Sequence, residues 1–326
     1  MGLTATRQIT RTPPMQTRTL LVLSTCAVLL ITGLVFLRGG NGSVPPGSRP
    51  QVVDYGAHNA PPPADLAPQA ILGTTLAAVR DGEPVPRRFY RGFPTGLKAI
   101  PAGEARKRRF YAVMLPLVLR ANEIVNAQRA RMIALVDDLD ADKPLPEPDR
   151  AWLVQTYNRL MPERERVDDV AGIDRAAFKR RLAPVPVSLA LTQAATESAW
   201  GTSRFARQGN AAFGVWTWNE THDGIVPQER AEGANHRVRA YDYLIDSVLD
   251  YILTLNKGGA YAEFRRLRAE QMATGGPLDG HALAGTLINY SERREAYVDE
   301  LQQMIRGNAL EVFDRAALAP PAAATS

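Results

Sequence analysis

The stretch Ala190–Trp218, ALTQAATESAWGTSRFARQGNAAFGVWTW, constrains the fold more than any other part of the chain. It continues an apolar run that begins after Pro186, and as a helix it would be apolar on most of its sides. Such a helix has to be central, with other elements wrapped around it. Gly201 is placed to end it. In its last turn stands one carboxylate, Glu197, among Ala195, Ala199 and Trp200. Burying a charge is costly, and desolvation raises the pKa of a carboxyl until it can donate a proton near neutral pH. The plainer reading is a helix-end carboxylate held in an ion pair.

The rest of the chain reads as helices around that one, broken by a short β region. Val113, Leu117, Ile124, Ile133 and Val136 keep helical spacing across Glu104–Asp140, and Pro116 predicts a kink or restart, hence two packed helices. Val85–Pro101, full of prolines and basic residues, reads as a loop able to wrap over a domain. Asp149 is placed to cap a helix through Leu160, and Asp174 one through Leu182. Between Gly214 and Tyr241 the helical period disappears. Trp216, Trp218, Thr221, Ile225 and Val226 read as strand residues, and His236–Tyr241 alternates, which predicts a small irregular antiparallel hairpin. Helices resume at Asp242–Asn256, Tyr261–Ala273, Pro277–Leu287 and Arg294–Arg306. The fold class expected is therefore mainly α, with a small β-hairpin lobe and the acid at the junction.

Before this body lies Leu20–Leu37, LLVLSTCAVLLITGLVFL, free of charge and just long enough to cross a bilayer at roughly 18–20 residues. Arg7, Arg11 and Arg18 precede it, which puts the N-terminus in the cytoplasm and exports the remainder. A cleaved signal peptide is the rival reading; the run is long for one, and no small-x-small site follows directly. Gly39–Pro68 is rich in Gly, Pro and Ala and reads as an extended tether. Cys26, the one cysteine, lies inside the apolar run, so no disulfide or thiolate nucleophile is expected in the body. His58, His222, His236 and His281 are scattered without metal-ligand spacing, so neither a metal nor any other cofactor is expected. The net charge of +5 suits an anionic polymer or membrane surface; no nucleic-acid-binding motif is present, and no nucleic-acid partner is expected.

Four strings carry a resemblance. TESAWGTSRFA, GNAAFGVW, YDYLIDSVLDYI and NYSERREAYVDEL are similar to the glucosaminidase family, the mannosyl-glycoprotein endo-β-N-acetylglucosaminidase-like domains, over roughly Pro184–Arg306. The E-S-x-W-G-x-S-x-F-A string followed by N-x-x-F-G is far more specific than a lone Glu. The resemblance implies a lysozyme-like α+β fold that hydrolyses the β-1,4 bond after N-acetylglucosamine in peptidoglycan. Position by position, Glu197 matches the family's catalytic acid, which protonates the glycosidic oxygen as the leaving group departs. Trp200 and Phe213 match positions on the cleft floor, with plain core packing as the alternative. Arg204 and Asn210 match motif positions, and Asn210 would either bind an N-acetyl group or hold its loop; Trp216 is grouped with the substrate-binding set. The family often has a second Asn where Ala211 stands, which puts an amide contact there in doubt. Tyr290 matches a tyrosine that points into the cleft and would act catalytically by steadying substrate or developing charge, and Tyr297 falls in the same pattern as a core residue.

A second carboxylate, as base or nucleophile, is sought among Glu220, Asp223, Glu229 and Glu232; spacing to Gly233 favours Glu229 or Glu232. The alternative is that the substrate's own 2-acetamido group assists. Competing readings are a lytic transglycosylase, disfavoured because FGVW stands where a GLMQ-like segment would, and a non-catalytic wall-binding protein. The expected division is 1–38 cytoplasmic N-terminus and transmembrane anchor, 39–85 tether, 86–183 helical region packing on the catalytic body, 184–310 catalytic domain and 311–326 disordered tail. Peptidoglycan strands are the expected partner, reached from a single-pass inner-membrane anchor with the catalytic domain on the periplasmic side.

Overall fold

A computed structural model describes residues 67–228, 230 and 233–321. The apolar run Leu20–Leu37 and the tether up to residue 66 lie outside the described residues, as do Glu229 and Glu232. Among the described residues, no helix is long and apolar enough to cross a membrane.

Two short helices, α1 (Pro68–Leu72) and α2 (Leu76–Arg80), lead into the long α3 (Glu104–Asp140). The two helices expected in this stretch are one. Proline inside a helix removes a hydrogen bond and costs about 3 kcal/mol, yet α3 continues through Pro116. Residues 110–119 are all buried there, so packing on every side holds the axis where the backbone bond is missing. Beyond Ala121 the burial becomes periodic, with Val125, Met132 and Val136 inward. The segment before α3 wraps the body, burying Phe89, Tyr90, Phe93 and Leu97.

Helix α4 (Glu147–Leu160) starts two residues before the expected cap: Pro146 occupies the N-cap, and Asp149 lies in the first turn, paired with Arg131 at 2.7 Å. Helix α5 (Arg175–Arg181) is capped by Asp174, whose side chain accepts from Ala177 N–H. Then comes α6 (Val187–Ser198), in which all residues but Thr196 are buried. It packs on α3 and, from the C-terminal side, on α10 (Gly280–Ala284) and α11 (Glu295–Gly307). Helix α7 (Arg204–Gly209) follows, then strands β1 (Trp216–Thr217), β2 (Gly224–Ile225) and β3 (Arg237–Arg239). They form a three-stranded antiparallel sheet in the order β1-β3-β2, with Trp216 opposite Val238 and Ile225 opposite the other side of Val238. Asp250 of α8 (Leu244–Lys257) holds the lobe down, accepting from Arg239 at 2.8 Å and from the Tyr241 hydroxyl at 2.6 Å. Helix α9 (Ala262–Ala273) completes the body. The core runs without interruption from Ile71 to Phe313.

The C-terminal segment is not the disordered tail expected from residue 311 onward. Residues Leu310–Arg315 form a 3-10 turn with Phe313 fully buried, and Leu318 bridges Val85 in parallel. Its anchor is chemical: Asp314 accepts from the Ser188 backbone N–H at 2.8 Å and from the Ser188 hydroxyl at 2.6 Å. The last five residues lie outside the described part.

Candidate active site

Glu197 sits one residue before the end of α6, and the backbone beyond it turns sharply. Ala199, Trp200 and Gly201 all have left-handed φ, at 50°, 60° and 75°. Non-glycine residues are disfavoured there by about 1–2 kcal/mol each, so Ala199 and Trp200 in succession need support. Trp200 N–H reaches back to Ala195 O at 2.8 Å, and the Ser198 hydroxyl donates to Ala194 O while accepting from Gly201 N–H at 2.8 Å. At Gly201 a Cβ would also lie 2.8 Å from the Phe93 ring, so the close approach of the wrapping segment requires glycine. This turn ends α6 two residues earlier than the expected boundary and leaves Glu197 at the exit of the core.

Only 9% of Glu197 is exposed, which decides its chemistry. Its carboxyl is pushed up from 4.5 to about 7, first by burial; Glu300 adds to the rise, while the Tyr297 hydroxyl and Arg293 oppose it. Glu300 and Arg293 pair with each other at 2.5 Å, so their charges largely offset at this distance. The Tyr297 hydroxyl donates to Oε1 of Glu197 at 2.8 Å. Behind it, Gln193 Nε2 donates to the Tyr297 oxygen at 3.0 Å, and the Tyr251 hydroxyl donates to Gln193 Oε1 at 2.6 Å. The donors run in one direction and end at the carboxyl. Oε1 is thereby held as an acceptor, which leaves Oε2 to carry the proton. Tyr251, Tyr290 and Tyr297 all have their hydroxyl pKa raised well above 10, chiefly by burial and in part by the nearby Glu197 charge, so they remain donors.

The other expected site residues are distributed differently. Phe213 is fully buried and stacked on Tyr251 at 4.0 Å, with the planes 7° apart. It therefore supports the far end of the hydrogen-bonded chain from within the core and is not on a cleft floor. Trp200, half-buried, turns edge-on to Phe110 and Tyr111 of α3, each at 5.6 Å, beneath the Lys107 ammonium. Asn210 caps α7 in the left-handed region, and its amide donates to Tyr241 O at 3.0 Å and Asp242 O at 3.2 Å. Those bonds make it a loop fastener, the second of its two expected roles. Arg204 likewise ties α7 to the lobe, donating to Val226 O at 2.6 Å. Tyr290 is buried and stacks parallel on Tyr297 at 5.6 Å. The position of Tyr290 is thus behind the tyrosine that touches the acid, and Tyr297, expected only as core, makes the contact. Trp216 stacks on His236 at 4.2 Å, and Trp218 beside them is 49% exposed, so the β lobe presents an aromatic face.

Glu220 and Asp223 are exposed on the lobe, and the favoured Glu229 and Glu232 fall outside the described residues. Among the described residues, no group of three or more His, Cys, Asp or Glu is arranged to hold a metal ion. A cavity of about 820 Å³ lies elsewhere, between α1, α2, the start of α3 and the end of α11, and Glu197 does not line it.

Gln193 and Tyr251 were missed in the sequence, although Gln193 carries a signal. It is a polar residue one helical turn before Glu197 in an apolar helix, so the two share a face, and a buried amide there needs partners. Tyr251 offers no such cue, because its partner is far away in the chain.

The chain is similar to known proteins over part of its length. The Glucosaminidase family model, described as mannosyl-glycoprotein endo-beta-N-acetylglucosaminidase, matches residues 176–310. The chain is 26% identical over 230 residues to Protein bax of Escherichia coli (strain K12), covering 65% of this chain and 73% of that protein. No solved structure matches the chain. The matched span holds Glu197, Gln193, Tyr251 and Tyr297 together, and over residues 176–310 the chain carries a domain similar to the glucosaminidase family.

Proposed function

We propose that this protein is a peptidoglycan hydrolase that cleaves the β-1,4 bond after N-acetylglucosamine, with Glu197 as the general acid. The observation that carries the reading is the desolvated carboxyl with one oxygen fixed by Tyr297. A proton donor works best when its pKa is near the operating pH, and a value of about 7 meets that condition. As the glycosidic bond breaks, Glu197 Oε2 gives its proton to the departing oxygen, and the Tyr297 hydroxyl stabilises the carboxylate left behind. Positive charge then builds on the sugar ring. It is met either by a carboxylate of the lobe, Glu229 or Glu232, or by the substrate's own 2-acetamido oxygen. Trp216 and Trp218 offer the flat apolar surface on which a sugar ring stacks.

A lysozyme-like α+β arrangement is the fold reading we attach to this function. We also infer that Leu20–Leu37 anchors the chain in the inner membrane and that the following tether carries the body to the wall; about 30 extended residues span at most ~100 Å. The test is digestion of purified sacculi by the full-length protein, with the products analysed by mass spectrometry. Reducing-end N-acetylglucosamine, lost in Glu197→Gln, is expected. Anhydro ends would favour a transglycosylase, and no release by the wild type would favour a wall binder.

A further inference from the structure

A second site lies away from Glu197. A cavity of about 260 Å³ opens where α3, α5 and α9 meet, lined by Arg129, Lys179, Arg180 and Arg268 with Ala269 and Met272. No carboxylate lines it. The nearest acid partner is Asp137, 3.5 Å from Lys179, and both members of that pair are more than a third exposed, so the pair is weak.

The arginines are held in place by backbone oxygens. Arg268 donates to Ala183 O at 3.2 Å, Pro184 O at 3.0 Å and Arg180 O at 3.0 Å. Arg129 donates to Leu182 O at 2.8 Å and also to Lys179 O. Carbonyl groups orient a guanidinium but do not cancel its charge. A buried cation without a counter-charge is strongly unfavourable, and Arg268 is fully buried. Its Nε–H is buried as well and has no hydrogen-bond partner. Crowding is visible in its acidity: burial, then the charges of Arg265 and Arg129, push Arg268 down from 12.5 to about 9.

We propose that this cavity binds a phosphate group. Four cations and no acid around one cavity make a preorganised oxyanion site, and arginine forks match phosphate oxygens. Ala269 and Met272 form an apolar flank that leaves room for a carbon substituent on the phosphate. The ligand is therefore a free phosphate or the headgroup of an anionic lipid, which share this chemistry.

The test is calorimetric titration of the full chain in neutral detergent and chloride buffer at constant ionic strength. One arm uses inorganic phosphate, the other monomeric dihexanoyl phosphatidic acid. The variant is Lys179→Gln with Arg180→Gln, which removes two side chains facing solvent and leaves their backbone oxygens in place. Saturable one-to-one binding is expected, weakened at least ten-fold in the variant. Tighter binding of the lipid assigns the site to a headgroup; equal or tighter binding of inorganic phosphate assigns it to the free anion. No binding of either probe to the wild type, or equal affinity in wild type and variant, overturns the proposal. Sacculus digestion by the variant is expected to match the wild type, so the outcome is separate from that of the hydrolase reading.

Discussion

At the scale of single residues the molecule turns on the protonation of Glu197. Its folded pKa of about 7 lies above the ordinary 4.5, so the folded state keeps a proton that the unfolded chain releases. Stability is therefore full below pH 4.5 and falls as pH rises through about 7. The size is about 3 kcal/mol, at 1.36 kcal/mol per unit. Glu197→Gln is expected to unfold in urea at a higher midpoint than the wild type at pH 8, by up to that amount, with the gain vanishing below pH 4.5. Tyr297→Phe removes a bond that lowers the Glu197 pKa. The alkaline limb of kcat/KM is then expected to move upward in pH, with activity reduced about ten-fold. A purely structural role for Tyr297 would lower activity without moving the limb. The acid itself was legible in the sequence, because a lone Glu in an apolar helix has few explanations. The tyrosine that touches it was not, since the motif offers Tyr290 and Tyr297 seven residues apart and only the packing of α11 on α6 selects one.

At the scale of elements, α6 depends on a cap that comes from far along the chain. Pro186 at its N-cap has no side-chain acceptor, and Asp314 supplies one, more than a hundred residues away. Its negative charge also suits the positive end of the helix dipole. Asp314→Ala is expected to cost about 2–3 kcal/mol in chemical unfolding, as for other hydrogen bonds to charged groups. At Gly280 a Cβ would stand 2.0 Å from the Ser188 hydroxyl oxygen. Ser188 is fixed by Asp314, so Gly280→Ala is expected to cost about 1–3 kcal/mol by overpacking, visible as a lower Tm. Most of these elements are legible in the helical pattern, because periodicity is a local signal. It divided α3 wrongly at Pro116, since a proline's local penalty is visible in sequence and the surrounding burial that outweighs it is not. It also missed Asp314, because composition after residue 310 resembles a tail.

At the scale of the whole molecule, the region matching the family model is not a separate body. Phe93, Phe110 and Tyr111, all before residue 176, pack around Trp200 or its neighbours, and Leu318 pairs with Val85. A fragment of residues 184–306 would expose the faces of α6 and α8 that α3 covers. Such a fragment is expected to lack a cooperative melting transition, whereas residues 67–321 should melt in one step. A stable, fully active 184–306 fragment would contradict the single core. The joint between the lobe and the body runs through Arg239, Tyr241 and Asp250, and through Asn210. These ties hold the aromatic face of Trp216 and Trp218 in a fixed relation to α8.

The most direct test of the central claim is the release of soluble fragments from purified sacculi by wild type and Glu197→Gln, measured from pH 5 to pH 9. Release by the wild type that declines above about pH 7, with the variant lower by at least a thousand-fold (about 4 kcal/mol) below pH 7 and the gap narrowing above it, is what a dry proton donor at the end of α6 predicts. Equal release by the two proteins would contradict it.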